Sequence, residues 1–502
     1  MFSKWRLVAL FFLVASLVPL TASAAPTVTS GFITSFDGTQ IKYNLFLPDG
    51  ASSTNQVPVI LRTHGWGGVG ETTIGGTLAK LLANGYAVLT WDQRGFGKSG
   101  GQIEIDHRDY EAKDVASLID FASSRPEILL EAAGDPVVGM TGGSYAGGIQ
   151  LASASIDSRI DAIAPEIAWN HLPQSLFPNG VPKVGWDTLL YATGHSTRLQ
   201  QERTPANYNP MIHRAQLQTT ATNDPAPFFS FFDERSPRHY TDDITTPTLV
   251  IQGSIDTLFT MNQGVSNFLQ IGDNAGGTVP TKLLLYNTGH QIGTAVPIGT
   301  GADNARTRAD NAILSWFAKY LKGQPVDTGP KVEFQNNFGQ WDSAISWPVG
   351  GTTSANGTIS NLSVTGAPVG GQVVNGNANG STVSNPLART NVFSATTNTR
   401  VVGVPHISGT VNGAATGAFL FFKLINTATN EVLSDQVTAY HVAGPVLPGQ
   451  PATFDIDLEG VSYLLTAGQS VALEISTGSP MFTSYRGSGV VDVTFNLSLP
   501  TG

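Results

Sequence analysis

Short, continuously apolar runs rich in valine, isoleucine and leucine recur along the first two thirds of the chain. They are VPVILRT (57–63), YAVLTWD (86–92), PVVGMTG (136–142), DAIAPEI (161–167), PTLVIQG (247–253) and KLLLYNT (282–288). Apolarity without alternation predicts strands buried on both faces. Between the runs, YEAKDVASLIDFASS (110–124) and RADNAILSWFAKYLKG (308–323) have helical spacing. Strands alternating with helices predict a mostly parallel sheet covered on both sides. Upstream, GFITSFDGTQIKYNLFLP (31–48) alternates on either side of Asp37-Gly38 and predicts an entry hairpin.

Two stretches break this rhythm. Residues 168–245 hold prolines and scattered aromatics, as in PAPFFSFFDE (225–234), and no strand-like run. An excursion of this length is uncommon in a compact domain unless it serves a site. It reads as an inserted helical cap over the C-terminal edge of the sheet, the bland alternative being a surface excursion without function. After Pro330, Gly, Asn, Ser and Thr dominate, and short alternating segments are separated by turn signals. That pattern predicts a β-sandwich of jelly-roll type. The expected organisation is an α/β core in two parts, 26–167 and 246–326, split by the cap at 168–245 and followed by the sandwich at 330–502.

The N-terminus reads as a signal peptide over 1–24. Lys4 and Arg6 precede an apolar run from Leu7 to Leu20, and Ala22 and Ala24 stand at A-x-A spacing. Pro19 and the shortness of the run disfavour a membrane anchor. The expectation is a secreted or periplasmic protein with no membrane contact in its mature form. The formal charge is −10 and more negative still without Lys4 and Arg6, so nucleic acid is not an expected partner. The chain has no cysteine, which removes thiol chemistry and cysteine-ligated metals. The histidines are dispersed, without HExxH spacing, so neither a metal nor a cofactor is expected.

GMTGGSYAGG (139–148) departs by one letter from G-x-S-x-G, since Ala146 stands at the second glycine position. A strand running into Ser144 and a helix leaving it are the context that a nucleophile elbow requires, and one extra methyl at 146 is tolerable. A serine needs a base, and the base an orienting acid, delivered in this fold class in the order Ser, Asp or Glu, His. LVIQGSIDTLF places Asp256 just past one strand and LLLYNTGHQIG places His290 just past the next. Ser144 is the expected nucleophile, His290 the general base and Asp256 the orienting acid. His171, His195, His213 and His239 fall in the cap and follow no late core strand. The oxyanion site is expected from the N–H of Tyr145 and, in the THGWGG loop, that of Trp66 with Gly65 next. His64 and Gly65 are weaker candidates for substrate contact or loop support. So are Asp92 and Arg94, in the glycine-rich loop WDQRGFGKSGG (91–101), which lacks the G-x-x-x-x-G-K-[ST] spacing and fails G-x-G-x-x-G on context, because no helix opens directly behind Gly95, Gly97 and Gly100.

Together these pieces resemble the X-Pro dipeptidyl-peptidase and cocaine esterase family of serine hydrolases. GGSYAG resembles the family's G-x-S-Y-x-G elbow, WDQRGFGKSGG its D-x-R-G-x-G-x-S-x-G loop, and residues 448–476 a segment of its last domain. The resemblance implies an α/β-hydrolase core with a helical cap and a C-terminal jelly roll. It also implies nucleophile Ser144, acid Asp256, base His290 and the Tyr145 N–H as an oxyanion donor. Members commonly carry a tyrosine after RTP whose hydroxyl completes the oxyanion site; here the text is RTHGWGG, with Gly65 at that place.

The leading expectation is a serine hydrolase that cleaves a small-molecule or short-peptide acyl substrate through an acyl-enzyme, with ester cleavage ranked ahead of amide cleavage and the esterase reading ahead of the dipeptidyl-peptidase one. A dipeptidyl-peptidase must also hold a free α-amino group, for which Glu166, Glu202, Asp233 and Glu234 are the carboxylates at hand. A third reading is a non-catalytic carbohydrate- or polymer-binding protein, with Trp341 and Trp347 as stacking faces or as ordinary core residues. The oligomeric state stays open.

Overall fold

The computed structural model describes residues 26–199, 207–290, 298–365 and 388–502; the signal sequence expected over 1–24 and Glu202 lie outside them. A ten-stranded sheet forms the core. In chain order its strands are β1 (Thr27–Thr34), β2 (Gln40–Leu47), β3 (Val59–Arg62), β4 (Ala87–Trp91), β5 (Val138–Gly143), β6 (Ile160–Glu166), β7 (Thr248–Gly253), β8 (Thr281–Tyr286), β9 (Val332–Gln335) and β10 (Trp341–Ala344). Their spatial order is β1-β2-β4-β3-β5-β6-β7-β8-β9-β10. From β4 through β9 every neighbouring pair is parallel, and antiparallel pairs close both ends.

Both faces of the sheet are covered, which explains the unbroken apolar runs. Val59 and Leu61 of β3 and Leu89 of β4 join a core with Val115 and Leu118 of α2 (Glu111–Ser123) and Ile149 of α3 (Tyr145–Ala154). The alternate residues Ile60 and Val88 join the opposite core with Leu78 and Leu81 of α1 (Gly76–Ala83) and Ile313 and Phe317 of α9 (Ala305–Tyr320). Period-2 geometry sends adjacent residues to opposite faces, so a doubly covered strand has no polar side to display.

The stretch 168–245 is helical where described. Its segments are α4 (Leu172–Leu176), α5 (Val184–Leu199), α6 (Pro210–Thr222), α7 (Phe229–Asp233) and short 3-10 turns. A further core helix, α8 (Met261–Gly277), follows β7.

The boundary expected at 330 moves. Strands β9 and β10 extend the core sheet, with β9 parallel to β8 through Leu283–Val332 to Leu285–Phe334. The Gly/Asn/Ser-rich composition begins before the core ends, so composition marked the change too early. The C-terminal β-rich domain starts at Gly351. One of its sheets pairs Gly351–Thr365, Ser488–Thr501, His406–Ala415 and Ala452–Asp457. The other pairs Ala388–Ser394, Ser470–Ser476, Ala418–Asn426 and Thr438–Val442. A single apolar core holds Val411, Val493 and Phe495 of the first sheet against Leu420, Leu424 and Leu473 of the second, making a β-sandwich. Trp341 and Trp347 serve packing here: the Trp341 Nε1 donates to the Asp303 carbonyl at 2.8 Å, and Trp347 packs beside Val332 and Val402.

Candidate active site

Ser144 sits between β5 and α3 with φ 61° and ψ −123°, a conformation uncommon for a residue with a side chain. Its N–H donates to the Glu166 carbonyl at 2.9 Å, which ties the turn to β6. A Cβ on Gly142 would lie 2.7 Å from the Ala146 Cβ, so the methyl at 146 fills space that glycine at 142 leaves. A Cβ on Gly147 would lie 2.7 Å from the Glu166 carbonyl oxygen, and one on Gly148 would lie 2.3 Å from the Trp169 ring. The elbow therefore displaces its glycine requirement to 147 and 148, where α3 meets β6.

Asp256 is fully buried on the loop after β7. Its Oδ1 accepts the N–H groups of Leu258 (2.9 Å) and Phe259 (3.0 Å). Its Oδ2 accepts from His290, through the backbone N–H at 3.2 Å and the ring Nδ1 at 2.6 Å. His290 follows β8, and its ring lies edge-on to Trp186 and Phe259. With Nδ1–H committed to Asp256, the imidazole presents Nε2 as an acceptor. That nitrogen is buried and has no hydrogen-bond partner among the described residues. Asp256 and His290 are thus joined directly, whereas no hydrogen bond links Nε2 to Ser144 in this structure. Ser144 lines a largely apolar pocket whose wall includes Phe259, the residue that also touches the His290 ring. Catalytic hydrogen bonds commonly tighten only once substrate is bound.

The loop after β3 lies over the serine: a Cβ on Gly65 would be 3.7 Å from the Ser144 Cβ. The N–H groups of Tyr145 and Trp66 enter no turn or loop hydrogen bond among the described residues, which leaves both free to donate. The Trp66 indole Nε1 donates to the Leu190 carbonyl at 2.8 Å, and its ring stacks on Tyr208. His64 faces inward. Its Nδ1 donates to the Gly65 carbonyl, its Nε2 accepts the Gln93 N–H at 3.0 Å, and burial holds the imidazole below its usual pKa.

Asp92 and Arg94 brace loops and do not line the pocket. Asp92 accepts the N–H groups of Gly70 and Lys98, both at 2.8 Å. Arg94 bridges Asp37 and Asp114 at 2.6 and 2.7 Å. The described carboxylates weighed for an amine are also engaged: Glu166 by Arg306 and Tyr286, Asp233 by Arg238, and Glu234 by Arg235. His171 and His239 both contact Asp233, while His195 and His213 sit in an aromatic cluster with Tyr191 and Tyr208.

Asp187, on α5, had no distinguishing sequence signal. Among the described residues it is the lone charged one on the wall of the Ser144 pocket, and no hydrogen bond or ion pair to them reaches its carboxyl. Desolvation pushes its pKa up to about 8, opposed by the charge of Lys183.

A parallel sheet with a serine elbow after β5, an acid after β7 and a histidine after β8 defines an α/β-hydrolase. Over nearly full length the fold matches three solved structures. They are an α-amino acid ester hydrolase (15% identity, 97% of this chain and 98% of that one, TM-score 0.75), a CocE/NonD family hydrolase from Staphylococcus aureus (16%, 95% and 93%, 0.69) and an aminopeptidase from a marine-sediment Thaumarchaeota archaeon (14%, 99% and 100%, 0.74). The chain belongs to the X-Pro dipeptidyl-peptidase (S15) family, whose sequence model matches residues 37–291. Among curated relatives, the quorum-quenching protein AidA of Acinetobacter baumannii is 32% identical over 133 residues, 26% of this chain and 40% of that protein. The uncharacterized protein YcjY of Escherichia coli strain K12 is 28% identical over 137 residues, 27% of this chain and 42% of that one. The chain thus matches less than half the length of these curated relatives.

Proposed function

We propose that this protein is an exported serine hydrolase that cleaves esters of apolar acids through an acyl-enzyme on Ser144. The supporting observation is the imidazole of His290, tethered to Asp256 through Nδ1 while its buried Nε2 is unoccupied. Ser144 Oγ attacks the acyl carbonyl as its proton passes to Nε2. The resulting oxyanion takes hydrogen bonds from the N–H groups of Tyr145 and Trp66. Nε2 then returns the proton to the departing alcohol. Water repeats the sequence to release the acid and restore Ser144. The apolar pocket wall, with Leu172, Leu176 and Phe259, favours a hydrophobic acyl chain.

Ser144→Ala is expected to lower kcat by roughly 10⁶-fold on p-nitrophenyl butyrate with the fold intact. A fluorophosphonate should label the wild type at Ser144 and leave the variant unlabelled; an unlabelled wild type would instead favour a binding protein. One observation favours a second substrate class. The unpaired carboxyl of Asp187 could ionise against the ammonium of an amino-acid ester or an X-Pro peptide. Asp187→Asn would then impair turnover of such cationic substrates, such as Ala-Pro-p-nitroanilide, and spare neutral esters. Export to the periplasm or medium follows from residues 1–24 and is tested by the N-terminus of the mature protein.

A further inference from the structure

We propose that Lys183 of the cap and Gln436 of the sandwich are positioning residues that hold the Asp256 loop in register with His290. The inference rests on the Ser144, Asp256 and His290 relay proposed above. Residues 254–260 connect β7 to α8, and their buried carbonyls must find donors. Gln436 donates from Nε2 to the carbonyls of Asp256 (2.9 Å) and Ser254 (3.3 Å). Lys183 donates from Nζ to those of Thr257 (2.8 Å) and Leu258 (3.2 Å). Both side chains are buried, at 4% and 1% exposure. Two side chains from outside the core therefore grip the backbone on both sides of the acid, while its own Oδ1 bonds to Leu258 and Phe259 fix the carboxylate's rotation.

The third grip reaches the base. Trp186, three residues after Lys183, donates to Thr257 Oγ1 at 3.2 Å and sets its ring edge-on to His290. The charges facing the Lys183 ammonium are Asp256 of the core, Asp187 of the cap and Glu459 of the sandwich. Three parts of the fold thus meet at the acid, and the ammonium counters the Asp256 carboxylate in a place water does not reach. A reacting geometry displaced by about 1 Å can cost roughly 100-fold in rate. The clamp therefore acts on the chemical step, since neither Lys183 nor Gln436 lines the substrate pocket.

The test is steady-state kinetics on the full chain, with Gln436→Leu and Lys183→Met each expected to lower kcat roughly 10- to 100-fold. KM should stay within about twofold, and fluorophosphonate labelling should slow in parallel. Asn262→Ala is the control: it breaks hydrogen bonds to Leu458 and Gly460 across the same core–sandwich boundary without touching the Asp256 loop, and should leave kcat unchanged. If Lys183→Met is insoluble, Gln436→Leu and Gln436→Glu decide the matter. An unchanged kcat in Gln436→Leu, or an equal fall in Asn262→Ala, overturns the inference while leaving the relay intact. Undiminished activity in Ser144→Ala would overturn the relay itself.

Discussion

At the scale of single residues, two aspartates, one bound to His290 and one on the wall of the Ser144 pocket, have opposite environments. Asp256 accepts from the N–H groups of Leu258 and Phe259 and from both nitrogens that His290 presents to it. Such bonds fix the carboxylate's orientation and the imidazole tautomer. Asp256→Asn keeps the shape but can donate toward Nδ1, stabilising the wrong tautomer. Stopped-time ester assays should show kcat reduced about 10⁴-fold with KM little changed. Asp187 has no such donors, and its folded pKa is raised from 3.8 to about 8 by burial. Between those two values the folded state binds a proton that the unfolded state has released, so stability falls as pH rises through that window. Asp187→Asn removes this slope. Its melting temperature should exceed that of the wild type at pH 8 and converge with it near pH 4; parallel Tm curves across that range would refute the assignment.

At the scale of elements, the elbow shows how a turn and its helix share one steric problem. Ala146 fits because Gly142 has no Cβ, and α3 approaches β6 because Gly147 and Gly148 have none. At 147 the obstacle is the Glu166 carbonyl oxygen, part of the strand that also anchors the Ser144 N–H. Backbone cannot step aside as a flexible side chain can. Gly147→Ala should therefore destabilise by about 1–3 kcal/mol and lower kcat by shifting Ser144. The paired substitution Ala146→Gly should leave kcat within about threefold and cost up to roughly 1 kcal/mol for glycine inside a helix. Thermal melts alongside initial rates check both. These elements were legible in the sequence because their constraints are local: the apolar runs at 57–63, 86–92 and 247–253 hold β3, β4 and β7 within a residue or two at each end. Ser144, Asp256 and His290 stood out because each follows a core strand in an ordered series. Asp187, Lys183 and Gln436 did not. Their roles depend on meetings between segments far apart in the chain, and neither periodicity nor spacing encodes those. Strands β9 and β10 escaped for a related reason, since the pairing of β9 with β8 that ties both to the core is non-local, β10 pairs only with β9, and their composition matches the domain that follows.

At the scale of the whole molecule, the cap does not close its own core. Phe177 and Val181 of the cap and Phe96 of the core belong to the same buried cluster as Phe419, Phe421, Val437, Ala439 and Phe482 of the sandwich. The Gly185 N–H donates to the Met481 carbonyl, and Thr483 donates through its own N–H to the Pro182 carbonyl, at 3.2 and 3.0 Å. The segment that carries Lys183 and Trp186 to the acid loop is thus bound on its far side to the sandwich. Removing the sandwich would take away Gln436, expose the apolar underside of the cap around Phe177 and Val181, and leave the Asn179 and Asn223 amides without their sandwich partners. A chain ending at residue 350 is accordingly expected to be poorly soluble. In whatever soluble fraction remains, proteases should cut first within 168–245, and fluorophosphonate labelling at Ser144 should be lost along with ester hydrolysis. The core sheet itself keeps β9 and β10, so circular dichroism should still report helix and strand in that fraction. Survival of full labelling in the shortened chain would mean that the cap seats itself on the core alone, and that the sandwich contributes nothing to placing His290 and Asp256.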